Sequence, residues 1–109
     1  MKITLAAAVS IGFACCAWSA LSQAAEHTVA QKDKQFAVKS LAVKVGDTVN
    51  FRNEDPFFHN VFSLSDTKTF DLGSYPQGQA KSVTFDKPGS AEIECAVHPG
   101  MKMTIEVAK

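Results

Sequence analysis

Four side chains near the end of the sequence have types and spacing that suit a metal ion. They are Cys95, His98, Met101 and Met103, all within the segment CAVHPGMKM. Thiolate and thioether groups are soft ligands and imidazole is a borderline one, a combination that favours metals such as copper over hard cations. Pro99 and Gly100 shape the turn that follows Cys95, so a tight loop at a strand end can fold three of these side chains towards one point.

A second histidine completes this set from another part of the chain. His59 begins the strand-like segment HNVFSL, directly after the loop NEDPFF. Antiparallel pairing can bring this strand start beside Cys95, at the end of the strand-like segment AEIEC. Two imidazoles and a thiolate in one plane, capped weakly by a thioether, suit copper that cycles between Cu(I) and Cu(II). The sequence therefore predicts a copper site, although the residues alone do not exclude zinc.

The first 24 residues of the 109-residue chain have the pattern of a secretory signal peptide. Lys2 provides a short positive region, residues 3–21 are apolar and uncharged, and SQA at residues 22–24 resembles a cleavage site. We expect cleavage after Ala24, with an uncleaved membrane anchor as the alternative. The mature domain is then residues 25–109, without a membrane span.

Cleavage would leave Cys95 as a lone cysteine, because Cys15 and Cys16 depart with the signal peptide. In an oxidising compartment a lone cysteine forms an intermolecular disulfide, stays an inert buried thiol, or binds a metal as a thiolate. The mature chain has ten basic and eleven acidic residues, a net charge near −1. It has no basic stripe, so we expect no nucleic-acid partner, and we expect a monomer.

Period-two alternation dominates the mature sequence and predicts short strands separated by turns. The predicted strands are Leu41–Val45, Thr48–Asn53, His59–Leu64, Lys81–Phe85, Ala91–Cys95 and Met101–Val107. Residues 70–79 form the longest irregular piece, for which a turn of helix is expected. The pattern indicates an all-β fold, an antiparallel β-sandwich or barrel. The acidic residues, including Glu54 and Asp55, are scattered and are expected to form a solvated face.

Two motifs give the chain a resemblance to a known family. HNV at residues 59–61, together with CAVHPGM at residues 95–101, resembles the cupredoxins, small type 1 blue copper proteins such as plastocyanin, pseudoazurin and amicyanin. The resemblance implies a Greek-key antiparallel β-sandwich holding one copper ion at one end. It implies that His59, Cys95 and His98 are the equatorial ligands. It also implies that Asn60 ties the two ligand-bearing segments together through hydrogen bonds.

The axial ligand has two candidates. An amicyanin-type loop selects Met101, and the longer loop spacing of plastocyanin and pseudoazurin selects Met103. Both methionines fall on the same face of the last predicted strand, so periodicity does not separate them. We favour Met101, because the strand MKMTIEV aligns with a strand that begins at the ligand.

These features predict a periplasmic type 1 copper protein that shuttles single electrons between transient redox partners, such as a cytochrome or a dehydrogenase. The alternative is a copper-delivery or copper-storage protein of the same fold. An enzyme with several copper centres would need more histidines than the three in this chain, so we expect none. His27 would be third in the mature chain, and we also consider a weak accessory Cu(II) site there, against a bystander histidine.

Overall fold

The structure is a computed structural model that describes residues 23–109, and in this range it contains nine β-strands and no helix. Most of the predicted signal peptide therefore lies outside the described residues. None of the described residues forms a helix with the length and apolar character of a membrane span. The strands are β1 (Glu26–Lys32), β2 (Gln35–Phe36), β3 (Ser40–Lys44), β4 (Thr48–Asn53), β5 (His59–Ser65), β6 (Lys68–Tyr75), β7 (Ala80–Thr84), β8 (Gly89–Cys95) and β9 (Lys102–Ala108).

The strands form two sheets, one with the order β2-β1-β4-β7 and the other with the order β3-β9-β8-β5-β6. This arrangement confirms the predicted all-β sandwich, with one difference in detail. Both sheets are mixed, because β1 pairs in parallel with β4 and β3 pairs in parallel with β9. Parallel neighbours need a crossover connection. Here the chain leaves β1, passes through β2 and then β3 in the other sheet, and returns to β4.

The core lies between the sheets and is built by alternation along the strands. In β4, Val49 and Phe51 are fully buried, while the intervening Asn50 faces outwards in part. In β9, Met103, Ile105 and Val107 are buried, and the residues between them are not. Successive side chains of a strand point to opposite faces, so each strand contributes every second residue to one continuous core. This rigid sandwich holds the ends of β5 and β8 in fixed positions.

Two segments differ from the sequence-based expectation. Residues 70–79 were expected to be irregular with a turn of helix, but β6 runs through them as far as Tyr75. The strand persists because it pairs with β5 along its length, with a register irregularity between Asn60 and Phe62. The second difference is at the start of the domain, where the sequence pattern did not predict β1, which pairs with β4, or the short β2, which pairs with the end of β1.

Candidate metal centre

The candidate ligands lie at one end of the sandwich, where two neighbouring strands of the same sheet meet. His59 is the first residue of β5 and Cys95 is the last residue of β8. The two strands are antiparallel neighbours, with Val61 opposite Cys95. As expected from antiparallel pairing, the start of one strand therefore lies beside the end of the other. Both ligand-bearing residues are buried, His59 completely.

The loop after Cys95 is closed by its own backbone. The Cys95 N–H donates to the Met101 carbonyl at 3.2 Å, and the Met101 N–H donates to the His98 carbonyl at 3.0 Å. Gly100 has a φ of 96°, in the left-handed region that glycine adopts at little cost. The turn therefore brings the His98 side chain back over the end of β8.

Three potential ligand atoms converge in this loop. The Cys95 Sγ lies 3.6 Å from the His59 Nδ1 and 3.8 Å from the His98 Nδ1. All three atoms lie within 4.8 Å of one another, the only such group of three histidine, cysteine or acidic residues among residues 23–109. An ion with bonds of about 2.0–2.3 Å to nitrogen and sulfur holds such atoms about 3.6–3.8 Å apart. The spacing thus fits one ion bound by all three side chains.

A buried carboxylate fixes the orientation of His59. The His59 Nε2–H donates to the Asp55 Oδ2 at 2.7 Å, and the exposed fraction is 0 % for His59 and 3 % for Asp55. With its Nε2–H directed at Asp55, the ring presents its other nitrogen, Nδ1, to the Cys95 sulfur at 3.6 Å. This is the form in which an imidazole binds a metal, and a carboxylate partner makes it a stronger ligand.

Asp55 is itself held by the turn between β1 and β2. Its Oδ1 accepts a hydrogen bond from the Asp33 N–H at 2.7 Å, and its Oδ2 accepts one from the Lys34 N–H at 3.0 Å. Burial alone would raise the Asp55 pKa, but the Lys34 N–H, His59 and the Asp33 N–H bring the pKa below its ordinary value. Asp55 therefore remains a carboxylate.

The expectation that Asp55 belongs to a solvated face is wrong. An acidic residue in a loop is usually exposed, and the sequence does not reveal that the β1–β2 turn folds over this one. Both turn residues have positive φ, 57° for Asp33 and 60° for Lys34, which aims their N–H groups at the carboxylate. The only local signal was the position of Asp55, four residues before His59.

His98 is half-buried and lies against aromatic neighbours. Its ring centroid is 4.9 Å from that of His59 and 5.2 Å from that of Phe57, which also contacts His59 edge-on. Burial, followed by the charges of His59 and Lys34, lowers the pKa of His98. A neutral imidazole is the form that accepts a metal ion, so this environment favours binding.

Asn60 connects the two ligand-bearing segments, mainly through its backbone. The Asn60 N–H points at the Cys95 Sγ at 3.4 Å, and the Ala96 N–H donates to the Asn60 carbonyl at 3.2 Å. The Asn60 side chain instead donates to the Asp71 Oδ1 at 3.3 Å, in the neighbouring strand β6. The N–H to sulfur contact suits a thiolate, because a negatively charged sulfur is the better acceptor.

Cys95 is a free cysteine whose side chain is buried, with an exposed fraction of 3 %. A disulfide to a second chain would require the sulfur to reach the surface, so its burial disfavours that alternative. An inert thiol would not explain why two imidazole nitrogens point at the sulfur. Of the three fates considered for a lone cysteine, the geometry favours a metal-bound thiolate.

The two methionines lie at different depths. Both are buried, but Met101 shares a backbone hydrogen bond with Cys95 whereas Met103 is paired with Ile93, two residues back along β8. Two residues of a strand span about 7 Å. Met101 therefore lies at the level of the cysteine, and Met103 lies deeper in the core.

His27 lies in the four-stranded sheet, whereas His59 and Cys95 lie in the five-stranded one. It lies in β1, and its Nε2 contacts the Asp47 carboxylate at 3.0 Å. Its neighbours Ala25 and Glu26 are aligned with β4, with the Thr48 N–H donating to the Ala25 carbonyl at 3.0 Å. The accessory Cu(II) site considered from the sequence stays an untested expectation.

Comparison with known proteins gives a family match over almost all of the described residues. A family model described as copper binding proteins of the plastocyanin/azurin family matches residues 23–108. The methylamine utilization protein MauL of Methylorubrum extorquens is 27 % identical over 101 residues, covering 92 % of this chain and 89 % of the relative.

Solved structures agree with this match. A reduced Cu(I) form of an amicyanin variant has a TM-score of 0.70 at 27 % identity, covering 82 % of this chain and 87 % of its own. A copper-containing nitrite reductase from Thermus scotoductus has a TM-score of 0.72 at 30 % identity over 77 % of this chain. The present chain spans only 22 % of that reductase. The likeness therefore concerns one part of the larger protein.

Proposed function

The chain belongs to the plastocyanin/azurin family of copper-binding proteins, and on that premise we propose that it carries single electrons between redox partners. The observation that carries the proposal is the convergence of the Cys95 sulfur with the Nδ1 atoms of His59 and His98. A site of two histidines and one cysteine with a weak axial thioether is the donor set of electron-transfer copper sites. We assign the axial position to Met101, which lies level with Cys95.

Copper bound by these residues would supply a one-electron couple between Cu(I) and Cu(II). The protein contributes a set of ligands whose positions are fixed before binding. Asp55 holds the His59 ring, and the backbone of Asn60 holds Cys95. The loop hydrogen bonds of Met101 hold the turn that carries His98. Ligands held in this way change position little between oxidation states, which favours fast electron transfer.

We expect electrons to pass between the metal centre and a partner protein through His98. It is the half-buried ligand, whereas the other equatorial ligands, His59 and Cys95, are buried. Two exposed apolar residues adjoin the candidate ligands in the sequence: Val97, with 52 % of its surface accessible, precedes His98, and Phe58, with 55 %, precedes His59. A small apolar contact around an exposed ligand suits a partner that binds briefly. With a mature net charge near −1, we expect local contacts to matter more than long-range steering.

We place this activity in the periplasm, after removal of residues 1–24 as a signal peptide, and we propose a monomer. The pattern of a basic residue, an apolar run and a small-residue cleavage site supports export. The relative MauL takes part in methylamine utilization by its name, which is compatible with a dehydrogenase as electron donor here. Mass spectrometry of the protein from a periplasmic extract tests both export and cleavage.

Experiments can distinguish electron transfer from two other functions, copper delivery and enzymatic catalysis. A copper-delivery protein would release its ion to a chelator or an apo-partner within seconds, and an electron carrier would retain it. The nitrite reductase that this chain resembles over 22 % of its length is an enzyme. The three histidines of the chain are too few for an additional copper centre, so we expect no nitrite reduction by this chain alone.

The decisive experiment uses the mature chain, residues 25–109, loaded with Cu(II). We expect one copper ion per chain, an intense visible band from the thiolate and a narrow hyperfine splitting in paramagnetic resonance. We also expect reversible one-electron voltammetry. Binding of copper without the thiolate band, or a band without reversible electron transfer, would contradict the proposal. Zinc loading under the same conditions serves as a colourless control.

A further inference from the structure

A second buried carboxylate, Asp47, lies outside the metal centre. Its exposed fraction is 5 %, and it lies in the turn after β3, immediately before β4. It accepts hydrogen bonds from the Ala25 N–H at 2.9 Å through Oδ1, and from the Lys44 N–H at 2.9 Å through Oδ2. The His27 Nε2 also lies 3.0 Å from Oδ2. Asp47 therefore gathers the start of β1 and the end of β3 around one anion.

This anion has no permanent positive charge as a partner among residues 23–109. Its only ion-pair contact there is with His27, which is charged only when protonated. Lys44 and Lys109 line the adjoining cavity of about 230 Å³, but neither ammonium group lies within 4.0 Å of the carboxylate. A buried charge is normally paired. Among the described residues, Asp47 is therefore a buried anion whose only ion-pair contact is a titratable histidine.

From these contacts we infer that the α-ammonium group created by cleavage after Ala24 is the cation that pairs with Asp47. Hydrolysis of the bond between Ala24 and Ala25 consumes one water. Ala24 leaves with the new carboxylate, and the nitrogen of Ala25 takes up protons to become an ammonium group. The nitrogen is already 2.9 Å from the Asp47 Oδ1. Processing therefore converts a hydrogen bond into an ion pair without moving the chain.

The inference rests on the proposed export and cleavage, and it also selects the cleavage position. A cut one residue later would make Glu26 the first residue and remove the nitrogen that contacts Asp47. The new ammonium group would then start about 3.3 Å further along the strand. Only a chain that begins at Ala25 places its terminal charge on the carboxylate.

The ion pair would anchor the first strand of the mature domain. The Ala25 carbonyl accepts a hydrogen bond from the Thr48 N–H at 3.0 Å, and β1 then continues in parallel register along β4. The first residues of a domain are poorly ordered unless something ties them down. Asp47 provides that tie, and the charge of the new ammonium group would strengthen it in the processed chain.

Hydrogen bonds alone already stabilise the Asp47 anion. The Ala25 N–H, then His27, then the Lys44 N–H lower the pKa of Asp47 to about 2. The carboxylate and the α-amino group are therefore both charged between the Asp47 pKa of about 2 and the α-amino pKa, normally about 8. The charged groups that face it are His27 from β1 and the lysines Lys44 and Lys109 beside the cavity.

The test compares two synthetic metal-free chains of residues 25–109, one with a free α-amino group and one with that group acetylated. Acetylation keeps the Ala25 N–H but removes its charge. We expect a lower melting temperature for the acetylated chain at pH 7. We also expect the α-amino pKa, normally about 8, to rise by about one unit in the free chain, a tenfold higher proton affinity. Because that pKa is raised by folding, the difference in stability disappears at a pH above it.

Asp47→Asn provides the matched control, because it keeps the size and a hydrogen-bond acceptor but removes the charge. Acetylation should leave the melting temperature of this variant unchanged. An equal loss in both backgrounds, or none in the native one, overturns the inference. So does a periplasmic product that begins at any residue other than Ala25. Copper loading and the blue colour of the free chain test the proposed function separately.

Discussion

Asp55 and His59 form a buried pair in which the ring Nε2–H donates to the carboxylate across 2.7 Å. Through this contact a residue outside the candidate ligand set fixes the orientation of one of the candidate ligands. The same carboxylate accepts two backbone N–H groups from the β1–β2 turn. The β1–β2 turn, which contributes no candidate ligand, is thereby connected to the candidate metal centre. The negative charge of Asp55 lies on the side of the His59 ring that faces away from Cys95. That charge favours the more positive oxidation state of a bound ion.

We therefore predict that Asp55→Asn weakens Cu(II) binding by about 10–100-fold, the usual effect of losing such a supporting group. Cu(I) binding should fall less, so the reduction potential should rise by about 59 mV for each tenfold difference. Chelator competition and voltammetry measure both quantities. Glu54→Gln is the control, since Glu54 contacts Arg52 at 3.8 Å instead of a candidate ligand. Equal effects of the two variants would count against a specific role for Asp55.

A second prediction concerns the thiolate. Cys95→Ser should abolish the intense visible band and most of the stabilisation that copper gives. A ligand that binds only the folded state stabilises it by about 4 kcal/mol at 1,000 times its Kd. Without copper, the native chain and the variant should unfold at similar temperatures, since serine is slightly smaller than cysteine and fits in its place. Thermal melts with and without Cu(II) measure the difference. A variant that keeps the blue colour would remove Cys95 from the site.

The assignment of the axial ligand predicts different results for two equivalent substitutions. Met101→Leu should leave a copper site with a raised reduction potential, because a weak thioether donor is lost. Met103→Leu is the matched control, with the same chemical change two residues deeper, opposite Ile93. Substitutions that conserve side-chain volume usually lower the free energy of unfolding by less than about 1.5 kcal/mol, so both variants should fold. If only Met103→Leu moves the potential, the axial ligand is Met103.

Much of this site is predictable from the sequence because the signals are local. The spacing of Cys95, His98 and Met101 encodes a loop that its own backbone closes. The strand bearing Cys95 has the alternation of a half-buried strand, and Thr48–Asn53 is a strand with the predicted bounds. Such patterns need only neighbouring residues, so they are visible without knowledge of the fold.

The parts that could not be predicted depend on contacts between distant residues. Asp55 is buried because the Asp33–Lys34 turn, more than 20 residues earlier, donates to it. Residues 70–75 form a strand because they pair with β5, although Gly73 and Ser74 weaken the local preference. The parallel pairing of β1 with β4 likewise requires an excursion through the other sheet. No local pattern specifies any of these three features.

The Asp47 carboxylate makes the free energy of unfolding depend on pH. Its pKa in the folded protein is about 2, below the ordinary value of 3.8. A carboxyl whose pKa is lowered by folding stabilises the folded protein at a pH above its ordinary pKa. That stabilisation is lost as the pH falls towards the pKa of the folded state. We predict that the metal-free chain loses stability between about pH 4 and pH 2. Asp47→Asn should lose less over this window, and the exposed Asp66→Asn should behave as the native chain does. Melts at stepped pH values decide between these outcomes.

The last prediction tests the surface around His98 without knowledge of the natural partner. If electrons leave through this ligand, two copies of the protein must meet there to exchange an electron with each other. Val97→Asp places a negative charge beside His98 on both copies. Like charges brought together at a contact are unfavourable, so the self-exchange rate should fall about tenfold or more. Nuclear magnetic resonance line broadening in mixtures of the oxidised and reduced protein measures that rate.

Leu64→Asp is the control for this experiment. Leu64 is the most exposed large apolar residue of the described chain, with 74 % of its surface accessible. It lies five residues after His59 along β5, about 17 Å from that ligand. The same charge placed there leaves the surface around His98 unchanged, and the added overall charge should slow exchange only slightly, an effect that salt removes. Because the two variants carry the same added charge, equal rates for both at the same low salt concentration would mean that electrons do not leave beside Val97.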